Sequence, residues 1–230
     1  MRLTVWKAPT DNERKVKNQW YVEKYDKVHT KVYEYEIIGS RILLKAALAP
    51  VSRAPFFRYQ AAYTFYGNGR IDVALDGDFN QERTFLPRLG FEFKVAGKEF
   101  SYFGYGPYES YIDMHHGSWM GLFESSAEKE YVPYIKPQEH GSHYNTKWLK
   151  LGKYSFVSEQ GFSCNVSEYT AKELTEKAHN FELVKDEYTN VRIDYKVSGT
   201  GSASCGPQML DKYKMNDGKV HFAFSILAEG

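Results

Sequence analysis

Gly67-Asn68-Gly69 stands between two apolar runs, Tyr59–Tyr66 and Ile71–Leu75. Asn and Gly tolerate positive φ, so this triplet between such runs reads as a hairpin turn. The returning run alternates, with Ile71, Val73 and Leu75 on one face and Asp72, Ala74 and Asp76 on the other. A period of two belongs to a strand with one buried face, which makes antiparallel β-structure the frame of the chain. Further strands are expected at Arg41–Leu48, Gly90–Val95, Trp119–Phe123, Phe162–Val166, Val191–Val197 and Val220–Leu227, the last closing the fold. Leu3–Trp6 reads as a strand end followed at once by a turn. Aromatic residues make up 17% of the chain, with 19 Tyr, 15 Phe and 4 Trp. Such rings pack well on a pleated surface; sugar sites also use their flat faces, but packing is the commoner use of any single ring.

One helix stands out. Thr170-Ala171-Lys172-Glu173 forms a capping box, and Ala171, Leu174, Ala178 and Phe181 then share a face that Asn180 can end. This predicts a helix lying on a sheet. Asp11–Glu23 fits a polar helix or a long loop equally well. Phe103–Trp119 and Tyr131–Trp148 read as long irregular segments, where a sandwich usually carries its function. No repeat, low-complexity tract or linker divides the 230 residues, so one domain is expected over 1–230.

Charge and composition exclude several classes. Thirty Lys and Arg stand against 29 Asp and Glu, and a net charge of +1 lacks the basic excess of a nucleic-acid binder. Hydrophobic content of 42% suits a globular chain. No apolar run approaches the roughly 18 residues of a membrane span, and Met1–Pro9 has no apolar signal core. With so abrupt an opening, Met1 is expected to lie inside a longer polypeptide. Cys164 and Cys205 match no metal or redox spacing. Two free thiols of a cytoplasmic protein are expected, a single disulfide being the alternative.

No complete catalytic constellation is visible. The chain has no Gly-rich phosphate loop and no nucleophile elbow. Ser204-Cys205-Gly206-Pro207 reads as a thiol in a tight turn, because a nucleophilic Cys needs a base and an oxyanion hole. His115-His116 and His140/His143 lack a third ligand at a telling spacing, and adjacent histidines on a strand point apart, so no metal is expected. Asn165-Val166-Ser167 fits a glycosylation sequon of the kind that arises by chance. Asp76, Asp78, Glu82, Asp113 and Glu139 are candidate acids or bases for glycoside hydrolysis, which needs two carboxyls about 5–9 Å apart. Scattered carboxylates are usually surface groups.

Four segments, in order, resemble the C-terminal small-chain region (the fifth domain) of family 2, lacZ-type, β-galactosidases. Trp6-Lys7-Ala8-Pro9-Thr10-Asp11-Asn12-Glu13 is similar to the family's Arg-Ala-Pro-x-Asp-Asn-Asp. Tyr102-Phe103-Gly104-Tyr105-Gly106-Pro107-Tyr108-Glu109-Ser110-Tyr111-Ile112-Asp113 resembles Gly-x-Gly-Pro-x-Glu-Asn-Tyr-x-Asp. Tyr131-Val132-Pro133-Tyr134-Ile135-Lys136-Pro137-Gln138-Glu139-His140-Gly141 is like Tyr-x-x-Pro-Gln-Glu-Asn-Gly. Gly199-Thr200-Gly201-Ser202-Ala203-Ser204-Cys205-Gly206-Pro207 matches Gly-x-Gly-Ser-x-Ser-Cys-Gly-Pro. Each alone is weak; four in register across nearly the whole chain are specific.

The resemblance implies an all-β super-sandwich of antiparallel sheets, galactose mutarotase-like, with one short helix. It also implies a fragment of a glycosidase that splits terminal β-D-galactosides with retention, whose catalytic glutamates lie in a preceding barrel domain. This domain would wall the sugar pocket and pack on its neighbours. It implies no catalytic residue here, and substrate contacts from Asp11, Asn12, Glu139, His140 and Cys205. Cys205 stands where the best-known member has Trp as a platform for the aglycone sugar, and a Cys cannot stack that way. His140 and Ser110 each replace a family Asn. The family's domain normally begins some tens of residues earlier; here either the chain is trimmed or first strands of the sandwich are missing, and an open edge would favour a homo-oligomer. Implied partners are a β-galactoside or galactose and the preceding domains, with no nucleic acid and no membrane. No cofactor is implied for this chain, the family's Mg²⁺ and Na⁺ sitting in other domains. The rivals are a stand-alone carbohydrate-binding module and an aldose 1-epimerase-like enzyme using His140 or His143 with Glu139.

Overall fold

The computed structural model describes residues 1–202 and 206–229. The hairpin at Gly67–Gly69 is there. It joins β4 (Phe57–Phe65) to β5 (Arg70–Phe79), with Phe65 opposite Ile71 and Gly69 at φ +83°. Val73 and Leu75 are buried on one face while Asp76 and Asp78 are exposed on the other, as the alternation predicts. β2 (Val28–Ile38) and β3 (Arg41–Pro50) continue this meander outward, and β12 (Lys219–Ala228) pairs with β5 on its inner side. The last strand therefore fills the middle of a sheet.

A second layer begins at β1 (Arg2–Thr4), which pairs with β6 (Arg88–Val95); β6 pairs in turn with β11 (Thr189–Val197). The two layers meet on β10 (Tyr154–Ser167). Its first half pairs with β12 and its second half with β11. Between them the register slips near Phe162, and Gly161 holds φ +83°. β9 (Ser142–Leu151) follows the other edge of β10, then β7 (Glu99–Gly106) and β8 (Trp119–Ser126) complete the sheet. All the pairings are antiparallel, and the sheet folds back on itself as a nearly closed sandwich.

Aromatic rings fill the space between layers. Phe91 and Phe93 of β6 reach Phe222, Phe224 and Phe156 with centroids 4.9–6.4 Å apart. Burying each such side chain contributes about 1.5–3 kcal/mol relative to exposure. Packing thus accounts for most of the aromatic excess. The fold also explains the N-terminal stretch that sequence left open. Asp11–Glu13 is a 3₁₀ turn and α1 spans Lys17–Val22, seating the fully buried Trp20 with its indole N–H on the Phe85 carbonyl at 2.8 Å.

The capped helix is shorter than expected. α2 covers Ala171–Glu176, with the Thr170 hydroxyl accepting from the Glu173 amide at 3.0 Å. Lys177 is already extended, at φ −75° and ψ 137°. The Glu182 carboxylate takes the amides of Ala178 and His179, so the chain turns away and leaves Phe181 81% exposed. Phe181 is not on the buried face. The segments read as wholly irregular are partly strand, since β7, β8 and β9 cover their ends; the true loops are 107–118 and 127–141.

Candidate functional site

Three loops and the turn after β11 converge on one cavity of about 280 Å³, lined by Thr10, Asp11, Asn12, Glu109, Tyr111, Met114, Tyr134, Gln138, Glu139 and Thr200. All four motif segments contribute to it. Local chemistry explains each. Lys7 is fully buried and pairs with the buried Glu13 at 2.5 Å. The second Glu13 oxygen accepts the Thr10 amide at 2.8 Å, tightening the turn that carries Asp11 and Asn12 to the cavity rim. The Asp11 amide donates to Gln138 Oε1 at 2.7 Å, and the Asn12 side-chain amide donates to the Thr200 carbonyl at 2.7 Å. Asn12 is therefore a strut between two loops as well as part of the lining.

The second segment is held from below. The Ser110 amide donates to Ser142, and its hydroxyl accepts the Tyr144 amide at 3.0 Å, so serine makes a working anchor where the family has Asn. The Glu109 carboxylate accepts the Gly141 amide at 2.9 Å. Asp113 Oδ1 accepts the Thr200 amide at 3.0 Å and Oδ2 the Gly201 amide at 2.9 Å, fixing the turn after β11. Tyr134 faces two acids. Burial pushes its phenol above the ordinary value, and the nearby Glu109 and Asp11 carboxylates push it further the same way.

Glu139 closes the floor, with its carboxylate already engaged. Arg88, wholly buried, donates from Nη2 to Glu139 at 3.0 Å and to Asp194 at 2.9 Å. Buried Arg192 lies beside it and donates to Asn165 Oδ1 at 2.6 Å, while Asn165 donates to the His140 carbonyl at 2.6 Å. Burial favours the neutral acid at Glu139, but Arg88, Arg192 and Lys7 outweigh it and hold the carboxyl below the usual range. Asp194 goes the other way: burial, with the Glu139 charge added, outweighs the arginines and raises it to about 6.

A carboxyl raised in the folded state contributes stability below its unfolded value, and that contribution disappears as pH rises through about 6. The Asp194→Asn protein lacks this titration. Its stability relative to wild type should rise by about 2–3 kcal/mol between pH 4 and pH 7. Urea unfolding at several pH values checks it, and a pH-independent difference would refute it.

Other candidates separate. His140 is buried, with Nδ1 2.8 Å from the Gln138 carbonyl, and His143 lies in the core stacked on Tyr102 at 4.2 Å and 3.2 Å from Glu130. Neither ring lines the cavity, so the arrangement of His and Glu needed for an epimerase is not assembled there. Asp76 pairs with His221 at 2.7 Å and Asp78 with Lys219 on the open sheet face, while Glu82 is exposed in a turn. His115 and His116 sit in a turn rather than on a strand, and their rings stack at 4.6 Å instead of pointing apart. Cys164 is a buried free thiol, pushed up to about 12 by burial. Cys205 lies outside the described residues. Glu109 and Tyr134 were inside the quoted motifs without being singled out; Arg88 was missed altogether.

A family model described as beta galactosidase small chain matches residues 1–226. The chain belongs to the β-galactosidase small-chain family. It is similar to the β-galactosidase of Actinobacillus pleuropneumoniae, 38% identical over 231 residues, which are 98% of this chain and 23% of that protein. The Staphylococcus xylosus β-galactosidase is 30% identical over 232 residues, with 96% and 23% covered. That of Kluyveromyces lactis is 29% identical over 246 residues, with 99% and 23% covered. The small chain thus spans 23% of the length of these relatives. Among solved structures, a GalM/aldose epimerase homologue from C. elegans gives a TM-score of 0.35 at 8% identity, covering 86% of this chain and 66% of that one, too slight a likeness to carry an argument. No described helix is long and apolar enough to cross a membrane.

Proposed function

We propose that this small chain walls the sugar pocket of a retaining β-galactosidase and packs against its other domains, without supplying the acid or the nucleophile. The observation that carries this reading is the cavity where all four motif segments meet around Asp11, Asn12, Glu109 and Tyr134. Carboxylates and a phenol at a rim are suited to accept and donate hydrogen bonds with sugar hydroxyls. A wall of this kind orients substrate and excludes water, which raises the rate without making or breaking bonds.

Retaining hydrolysis needs a protonated acid and a nucleophilic carboxylate about 5–5.5 Å apart. Glu139, the buried acid of the cavity, is held charged by Arg88 and has no proton to deliver near neutral pH. Asp194, the acid whose proton is held more firmly, is sealed in the interior. On this reading the acid and the nucleophile come from the other domains of the parent enzyme.

The purified chain should leave a chromogenic β-galactoside intact, and hydrolysis should return when the remaining domains of the parent enzyme are added. Turnover by the chain alone would overturn the non-catalytic role. Failure of the added domains to gain activity from the chain would overturn its part in the pocket.

A further inference from the structure

β2 forms the outer edge of the large sheet and is exposed along nearly its whole length. Its residues include Val32, Tyr33, Tyr35, Ile37 and Ile38, each 46–73% exposed. A long apolar edge normally invites another strand, and chains usually blunt it with charges that repel a second copy. The charges here are ordered differently.

The register of β2 on β3 slips between Val32 and Glu34, so Tyr33 is an extra residue. Lys31 Nζ lies 5.1 Å from the Tyr33 ring and Arg58 lies 6.0 Å from it, while Glu34 pairs with Lys45 at 2.8 Å. Tyr33 and Glu34 therefore share the outer, polar face. Val32 opposite Ala46 and Tyr35 opposite Leu44 share the face that continues the core. The bulge makes the face pattern symmetric about its own midpoint. Reading outward from Tyr33 and Glu34, Val32 and Tyr35 match, then Lys31 and Glu36, Thr30 and Ile37, and His29 and Ile38.

We infer that β2 is a self-complementary edge through which two copies of this chain join, antiparallel, about a two-fold axis between Tyr33 and Glu34. Every facing pair then lies on one face of the continued sheet, and a shift of one or two residues either way sets a core-side residue against an outer one. Lys31 of each copy faces Glu36 of the other, so opposite charges meet twice. Val32 meets Tyr35 on the apolar side, joining the exposed apolar strips of both copies. Cross-strand pairs of these kinds are the ones that stabilise a sheet, and a two-fold interface repeats each of them.

Sedimentation equilibrium over a concentration series tests the pairing, with amide exchange as a second reading. The wild-type chain should dimerise, and the amides of residues 29–38 should gain protection as concentration rises. Lys31→Glu and Glu36→Lys should each weaken the dimer on the order of tenfold, because two exposed attractions become repulsions. The double variant should regain wild-type affinity. All these positions are exposed, so circular dichroism will report an unchanged fold. A chain that stays monomeric, a double variant no stronger than the singles, or protection gained elsewhere would overturn the inference.

Discussion

Replacing Arg88 with Met is expected to lower unfolding free energy by about 3–5 kcal/mol. Arg88 has no exposure, and its Nη2 alone holds both Glu139 and Asp194. Met fills a comparable volume but leaves two carboxylates facing each other in the interior. The cost comes from stranding those charges rather than from losing two hydrogen bonds, which would be about 1–3 kcal/mol. Arg88→Lys, which keeps a cation for the two acids but on a shorter side chain, should fall between. In the Met protein both acids would resist ionisation, so stability should fall steadily as pH rises from 4 to 7. Urea midpoints for the two variants at several pH values measure this. A Met variant within about 1 kcal/mol of wild type would mean that the paired charges do not stabilise the fold.

What sequence could and could not reveal follows from where each signal is local. The β4–β5 hairpin was legible because the turn residues and the alternation sit within one short stretch. β2 was not read as a strand, because exposure on both faces removes the alternation that burial would impose. α2 was overextended because the capping box identifies a helix start, while its end was decided by Glu182 capturing two amides several residues on. The cavity was legible only through resemblance. Asp11, Asn12 and Glu139 do meet there, yet Asn12 and Glu139 also bind the fold itself. Arg88 could not be found, since its partners lie 51 and 106 positions away and nothing near it in sequence marks a buried cation.

Asp113 carries the largest functional effect expected from the cavity wall. Its two oxygens accept the amides of Thr200 and Gly201, and the Thr200 carbonyl in turn receives the Asn12 side chain. The turn is pressed against the carboxylate so closely that a Cβ on Gly199 would lie 2.4 Å from it. Asp113→Ala removes both acceptors, frees the turn after β11 and releases the loop that presents Asp11 and Asn12. Displacing a wall by about 1 Å can cost on the order of 100-fold in turnover. In the assembled β-galactosidase, kcat/KM for a β-galactoside should therefore fall by roughly 10- to 100-fold. Asp113→Asn, which keeps one oxygen acceptor, should lose less. The pH dependence of kcat/KM should keep its shape in both, because a positioning residue moves the wall without changing the groups that titrate in the reaction. An altered pH profile would instead place Asp113 among the reacting groups, and unchanged kcat/KM in the Ala protein would show that this wall does not position the sugar.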